Sequence, residues 1–275
     1  MARRLVHQQE DVGSKPNPPL QLMHEAAGER FKADPSKCYQ RHIRELYAET
    51  EPREQLTSLD GARVEKITSD EAKSIILKYE WLRTMGSGTV ACHGLKLNGE
   101  LLGVECFGIL GGNIRRICIA PTKAETDRLA ESTVCLMRGA CVPHAPNHAA
   151  SFLIRYACRQ AYKDYGWRVF FAYSDSDAGE MGTVYQLAGW SYLGDGIRKS
   201  KYHTDYKSPD GSKIITSYAI NHKHMSRTKL LTQGWTPIRR YNKKKYVWFE
   251  GTATERKTLK SYCRYPFLPY PKRAA

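Results

Sequence analysis

Two segments in the middle of the chain have apolar residues at helical spacing. In residues 69–86, Ser69 stands in the position of an N-cap before the first apolar residue. In residues 146–166, Asn147 stands in that position and Gly166 closes the segment. Glycine ends helices because it adopts left-handed backbone angles without strain, so the pattern predicts one helix in each segment.

Apolar runs between and after these segments predict strands. Residues 88–111 contain Asn98-Gly99, a dipeptide that supplies the positive φ angles of a tight hairpin. Six further runs are interpreted as strands: 113–120, 132–142, 167–174, 191–194, 212–220 and 243–251. The order hairpin, strand, helix, strand predicts a mixed sheet with a crossover helix, which is an α/β fold (α+β, mixed sheet).

The buried strand at 167–174 is followed by a loop rich in acids, hydroxyls and glycine, YSDSDAGEMGTVYQLAGW, at 173–190. Ligands of open sheets bind beyond the carboxyl ends of the strands, so this loop is a candidate site. A carboxylate such as Asp175 can orient or deprotonate an amine, and a tyrosine such as Tyr185 can protonate a leaving thiolate. The alternatives are that Asp175 only caps the next helix and that Tyr185 is a core aromatic.

A second candidate region combines a strand arginine with a helix start. Burial of an unpaired guanidinium is very costly, so Arg138 must be paired or face a ligand cavity, unless it lies at a strand edge and points to solvent. The segment VPHAPNHAAS at 142–151 leads into a helix whose first free N–H groups can form an anion site. The candidates there are Asn147, His148 and Ser151, although Ser151 is equally well explained as an ordinary first-turn residue.

The charge of the chain is strongly segregated. Residues 198–275 hold 19 of the 43 Lys and Arg residues against four acids, so this part carries the whole net charge of +15. Such segregation favours a polyanionic partner, and nucleic acid is favoured over a membrane because no amphipathic apolar face accompanies the charge. The predicted DNA contacts are the clustered cations Arg239, Arg240, Lys243, Lys244 and Lys245. The alternative is a basic tail that is only solvated.

Composition and charge suggest three parts: a polar, flexible leader at 1–22, a catalytic core at 23–197, and a basic part at 198–275 that completes the fold and binds DNA. No run approaches the roughly 18 apolar residues of a membrane span, and the eight cysteines include no CxxC pair. These features predict a cytoplasmic protein with reduced thiols and without a membrane partner. The histidines are not spaced as metal ligands.

Several blocks of sequence, taken in their order and spacing, resemble the Mom family of phage DNA-modification proteins. The blocks are residues 80–108, 136–159 and 170–190, followed by KKKYVWFEG and YPFLPYPKR at 243–251 and 265–273. The resemblance extends over about residues 78–272. It implies a fold similar to that of the GNAT N-acetyltransferases, with a basic C-terminal extension.

The same resemblance implies an enzyme of the host bacterial cytoplasm that modifies the exocyclic amine of adenine in phage DNA. The product is a methylcarbamoyl-type group, which shields the DNA from restriction enzymes. The implied donor is acetyl-CoA, and the implied partner is double-stranded DNA. Simple acetyl transfer does not give this product, so an extra step is needed. A metal such as iron is a candidate for that step, although the residues themselves do not indicate one.

Matched to the family's motif, the strand arginine falls on Arg138, the helix serine on Ser151, the strand-end aspartate on Asp175 and the tyrosine on Tyr185. The resemblance implies catalytic roles for these four and donor binding by Arg138 and the helix start. The sequence VPHAPN stands where acetyltransferases have a glycine-rich pyrophosphate loop. Two other functions stay open: an N-acetyltransferase acting on a protein, tRNA or small amine, and a non-catalytic nucleic-acid binder.

Overall fold

A seven-stranded mixed sheet forms the centre of the protein in a computed structural model, which describes residues 37–86, 88–195, 202–222 and 224–272. The predicted leader at 1–22 lies outside these residues. The strand order is β1-β2-β3-β4-β5-β10-β6. The seven strands have these bounds: β1 Arg63–Ile67, β2 Thr89–Leu97, β3 Glu100–Gly108, β4 Thr133–Cys141, β5 Val169–Ser174, β6 Ser191–Tyr192 and β10 Lys244–Phe249.

The one parallel pair in this sheet, β4 with β5, separates along its length. The two strands are paired only from Thr133–Val169 to Cys135–Phe171. On its other side β4 has a register shift against β3, where Cys106 pairs with Arg138 and Phe107 with Leu136. Such a bulge bends a strand, so the second half of β4 leaves β5 and a wedge opens between them.

Eight α-helices lie in the described part of the chain: α1 Tyr39–Thr50, α2 Ser69–Tyr79, α3 Lys123–Glu131, α4 Ala149–Tyr165, α5 Thr183–Leu187, α6 Ser217–His222, α7 Arg227–Thr232 and α8 Ala253–Tyr262. The longest, α4, packs on β1, β2 and β3 and is the crossover between β4 and β5. Its buried face consists of small and branched apolar residues such as Leu153 and Ala157. None of the described helices has the length and apolar content needed to cross a membrane.

A second, three-stranded sheet is inserted between β6 and β10. Its order is β8-β7-β9, with β7 Tyr202–Lys207, β8 Ile214–Ile215 and β9 Thr236–Tyr241. Tyr206, Ile220 and Leu230 form its own small core, with Trp235 packed against them. The chain then returns as β10 between β5 and β6. The basic C-terminal part therefore contains the inserted sheet, the interior strand β10 of the main sheet and the helix α8.

Both predicted helices are present, but the first ends at Tyr79 and not at the predicted Gly86. The N-cap of α2 is Thr68 and not Ser69, because Thr68 and Glu71 form a reciprocal capping box. The predicted cap Asn147 lies just before the start of α4, where His148 occupies the cap position without a side-chain cap bond. Gly166 ends α4 at φ 71°, as expected.

Two strand predictions are wrong, and three strands were missed: β1, β7 and β9. Residues 113–120 contain the end of a 3-10 turn and an isolated bridge of Cys118 to Cys263, because their apolar side chains pack under α8 rather than in a ladder. The strand predicted at 212–220 stops after two residues, and α6 begins at Ser217, whose N–H donates to the buried Asp205. The missed β1 has only one fully buried residue, so its pattern carries little signal.

Candidate active site

A cavity of about 700 Å³ occupies the wedge between β4 and β5. It is lined by the second half of β4, the loop after β5, and one face of α1, which lies across its mouth. Three of the four predicted catalytic residues line it together: Arg138, Asp175 and Tyr185. The fourth, Ser151, is not in the lining, although Ala150 and Ile154 of the same helix are.

Arg138 enters the cavity wall from β4 with its guanidinium fixed by backbone carbonyls. Its Nε donates to the carbonyl oxygen of Thr84 at 3.0 Å, and its Nη1 donates to that of Met137 at 2.7 Å. Its positive charge acts on Glu80, a buried carboxyl that also lines the cavity. Arg138 is thus paired and faces the cavity, in contrast to the alternative of an edge residue that points to solvent.

Asp175 caps a turn and forms an ion pair at the same time. Its Oδ1 accepts a hydrogen bond from the N–H of Asp177 at 3.0 Å, and its Oδ2 lies 3.0 Å from Nζ of Lys243. The backbone N–H of Asp175 donates to Glu180 Oε2 at 3.0 Å. Asp175 therefore does cap the turn that follows β5, as one alternative predicted. Its carboxylate also faces the cavity, with the ammonium group of Lys243 beside it.

The loop between Asp175 and Tyr185 depends on glycine at one tight point. Gly182 has φ 68° and precedes α5. A Cβ at this position would overlap the ring of Tyr246. Only glycine suits both the backbone angle and the space, so the loop can turn back over β10 and bring α5 to the cavity.

Tyr185 is both a core aromatic and part of the cavity wall. Its ring packs against Trp190 and Tyr246, with centroid distances of 5.4 and 5.1 Å. Burial raises the pKa of its hydroxyl well above the usual value. The group therefore stays protonated throughout the physiological range, as a proton donor to a leaving thiolate must be.

Three glutamates in the cavity wall were not among the predicted site residues: Glu80 and Glu105, which are buried, and Glu180, which is partly buried. Burial raises the pKa of Glu80 to about 7 and that of Glu180 to about 7. Burial raises the pKa of Glu105 much further. Glu105 carries the same sequence signal as Arg138, a charged residue inside an apolar strand. Glu80 and Glu180 lie in connections, where a charge gives no such signal.

The predicted donor-binding residues lie at the start of α4, beside the cavity. The hydroxyl of Ser151 donates to the carbonyl oxygen of His148 at 3.1 Å, so in this conformation it serves the first helical turn. The preceding turn is held by Gln55, whose amide donates to the carbonyl oxygens of His144 and Ala145 at 3.0 and 2.7 Å. A polar turn held by a side chain thus stands in place of a glycine-rich loop.

The five predicted DNA contacts fall into three environments. Arg239 and Arg240 lie on β9 of the inserted sheet, and Lys243 pairs with Asp175. Lys244 is buried, with Nζ donating to Ser176 at 3.1 Å, and Lys245 is buried beneath Tyr265. Burial lowers the pKa of Lys245 to about 8. Because the side chains of Lys244 and Lys245 are buried in this structure, they are not available to a DNA phosphate, and their assignment as DNA contacts is corrected.

Comparison with known protein families shows to which family the chain belongs. The sequence pattern of the Mom protein family matches residues 61–272. The chain belongs to the Mom protein family. The match spans every strand of both sheets and ends with the Pro-rich segment, while α1 precedes it.

Solved structures similar to this Mom-family chain are acetyltransferases of low identity. The IAA acetyltransferase from Bacillus cereus is 16% identical, with a TM-score of 0.35, over 69% of this chain and 99% of that one. A Bacillus subtilis acetyltransferase in complex with CoA is 14% identical, with a TM-score of 0.34, over 69% and 99%. The ribosomal-protein-S18-alanine N-acetyltransferase from Escherichia coli is 8% identical, with a TM-score of 0.36, over 70% and 96%. No curated protein matches the chain.

The predicted α/β fold with a mixed sheet is confirmed, because the one parallel strand pair, β4 with β5, is joined by the crossover helix α4. Within the described ranges, no group of three or more His, Cys, Asp or Glu side chains is arranged to hold a metal ion.

Proposed function

We propose that this Mom-family protein is an acyl-CoA-dependent enzyme that modifies N6 of adenine in phage DNA, with acetyl-CoA as donor, and so protects the DNA from restriction. One observation carries the proposal. Arg138, Asp175 and Tyr185, which come from separate stretches of sequence, line a single cavity where β4 and β5 separate.

The wedge suits the extended acyl-pantetheine arm of the donor. Beyond Cys135, β4 has no partner on its β5 side, so its backbone groups are available to a ligand that lies along the strand. The start of α4, with Asn147, His148 and Ser151, would receive the pyrophosphate, since a helix N-terminus favours anions. Arg138 adds a positive charge to the cavity wall.

The acidic loop after β5 can orient the amine of the acceptor. Adenine N6 is conjugated with its ring and lies inside the duplex, so the base must leave the stack and its amine must be oriented, in our assignment by Asp175. In an acyl transfer the amine nitrogen bonds to the thioester carbon and the C–S bond breaks. One proton passes from the amine to Asp175, and one passes from Tyr185 to the thiolate. The methylcarbamoyl-type product requires a further step.

The inserted sheet suits the DNA backbone. Arg239 lies over the ring of Tyr202 at 3.6 Å, and the N–H of the neighbouring Tyr241 donates to Asp177 at 3.2 Å. The cations of β9 are therefore attached to the loop that carries Asp175. A DNA segment held on this surface would present its bases to the cavity, which a solvated tail would not do.

Reconstitution with purified components tests the proposal. Duplex DNA that contains adenine is incubated with acetyl-CoA carrying a labelled acetyl group, and the digested nucleosides are separated. We expect label in an adenine derivative. Label in protein, tRNA or a small amine but not in DNA would support the N-acetyltransferase alternative. Binding of DNA without any transfer would support the non-catalytic alternative.

A further inference from the structure

Glu105, in the middle of β3, has a buried carboxyl group whose loss of solvation is not offset by a described cation. Its side chain is 3% exposed, and Oε2 has no hydrogen-bond partner in the described part of the protein. Burial is the cause of its raised pKa, and no described cation offsets it. At neutral pH the group is therefore a neutral carboxylic acid, which can donate a hydrogen bond.

The neighbouring strand leaves space for this carboxyl. Glu105 lies directly opposite Gly139 of β4. A Cβ on Gly139 would overlap Glu105 Oε1. Gly139 itself lines the cavity, as Glu105 does, so the glycine keeps the carboxyl against the unpaired half of β4. An ordinary core position would contain an apolar side chain here and would need no glycine.

The carboxyl lies on the α4 side of the sheet, away from the side to which Arg138 points. Gly103, two residues before Glu105 and on the same face, lies against Leu153 of α4. Glu105 also acts electrostatically on Tyr185, the residue assigned to the leaving thiolate. Arg138 pairs with Cys106 on the alternate face and is bonded to Thr84.

We propose that Glu105 is a donor-binding residue whose protonated carboxyl gives a hydrogen bond to a carbonyl oxygen of the acyl-pantetheine arm. The inference rests on the proposed function, because it assigns the wedge to acyl-CoA. The arm offers thioester and amide carbonyls, all of which accept hydrogen bonds. An ionised carboxylate would repel these oxygens, so the neutral form is the one that suits the ligand.

A trade-off between stability and binding separates this role from a structural one. An unpaired buried acid destabilises the fold, so Glu105→Leu should raise the melting temperature. The same change removes the donor, and affinity for acetyl-CoA should fall about tenfold or more, since a carbonyl is left buried without a partner. Glu105→Gln keeps a neutral donor and should bind within about threefold of wild type.

The experiment combines thermal melting with calorimetry of acetyl-CoA binding to the full chain. Glu105→Met is a second apolar variant of similar length. His93→Leu is the matched control, because His93 is also fully buried with an unpartnered ring nitrogen and lies opposite Glu105 on β2, but it does not line the cavity. Its affinity for acetyl-CoA should equal that of wild type.

Four outcomes decide between a binding role and a structural one. Weaker binding by both apolar variants, with Glu105→Gln and His93→Leu unaffected, supports the binding role. Apolar variants that bind as tightly as wild type, apolar variants that fail to fold, or a Glu105→Gln variant as weak as Glu105→Leu would each overturn it. If wild type itself does not bind acetyl-CoA, the donor assignment of the proposed function fails first, which is a distinct result.

Discussion

At the scale of single residues, the proposed chemistry depends on Asp175 and Tyr185. A general acid or base typically contributes about 10²- to 10⁴-fold, so Asp175→Asn and Tyr185→Phe should each reduce DNA modification by about that factor. Tyr185→Phe keeps the ring contacts with Trp190 and Tyr246, so its melting temperature should stay close to that of wild type. Labelled-nucleoside assays and thermal melting measure the two properties.

Tyr192→Phe is the control for this prediction. Tyr192 is also a buried tyrosine that packs on Tyr246, but its hydroxyl bonds to Asp195 and it does not line the cavity. It should keep full activity. Equal activity in Tyr185→Phe and Tyr192→Phe would return Tyr185 to a purely structural role.

The buried Glu80 leads to a prediction about how the stability of the fold depends on pH. The folded-state pKa of Glu80 is about 7, above its value in the unfolded chain, so the folded state holds this proton more tightly. The stability that Glu80 contributes is therefore complete at low pH and is lost as pH rises through about 7. Glu80→Gln keeps an acceptor for the N–H groups of Leu82 and Arg83 but cannot ionise.

Urea unfolding between pH 5 and pH 8 measures this effect. The stability of Glu80→Gln should fall less over this range than that of wild type. Lys73→Met, which changes an exposed charge on the outer face of α2, should keep the wild-type slope. A Glu80→Gln variant with the wild-type slope would mean that Glu80 does not titrate in this window.

At the scale of elements, the fit of β3 against β4 makes a prediction about glycine. The added methyl group of Gly139→Ala would overlap the Glu105 carboxyl, and such overpacking typically costs about 1–3 kcal/mol. Glu105→Ala in the same chain should recover part of that cost, so the two changes should not be additive. Chemical denaturation of the two single variants and the double variant measures the coupling.

Gly111→Ala is the matched control, since no atom lies within 4 Å of its added Cβ and its φ is not positive. Its stability should be close to that of wild type. If Gly139→Ala behaves in the same way, β4 does not hold the Glu105 carboxyl as the structure indicates.

Elements with strong periodicity could be predicted from the sequence, and those shaped by distant contacts could not. The apolar stripe and Gly166 define α4 locally, and the Asn98-Gly99 dipeptide defines the β2–β3 hairpin. The strand predicted at 113–120 failed because Cys118 meets Cys263 from the far end of the chain. The start of α6 depends on Asp205, twelve residues away. No local pattern contains such partners.

The same distinction holds for the site. Arg138 and Glu105 are visible as charges in apolar strands, although only Arg138 was recognised. Asp175 and Tyr185 were identified by their place after β5 and by the family motif. The burial of Lys244 and Lys245 could not be predicted, because a run of three lysines is typical of an exposed segment. Only the tertiary structure shows that this run enters β10, between β5 and β6.

At the scale of the whole molecule, the segregated charge predicts how DNA binding depends on salt. Removal of one phosphate-binding cation should reduce the slope of log K against log salt by about 0.9 on duplex DNA. Arg239→Ala with Arg240→Ala should therefore flatten the slope and weaken binding to all sequences alike. Lys257→Ala with Lys260→Ala removes the same charge from the exposed face of α8 and should leave the slope unchanged. Parallel lines for wild type and the arginine variant would favour the solvated-tail alternative.

The proposed function requires that the cavity between β4 and β5 modifies adenine. The most direct measurement is nucleoside mass spectrometry of plasmid DNA from cells that express the protein, beside cells that express Asp175→Asn at equal soluble levels. We predict a modified deoxyadenosine with wild type, and its loss or strong reduction with the variant. An unchanged deoxyadenosine profile with well-expressed wild type, or equal modification with both proteins, would contradict this function.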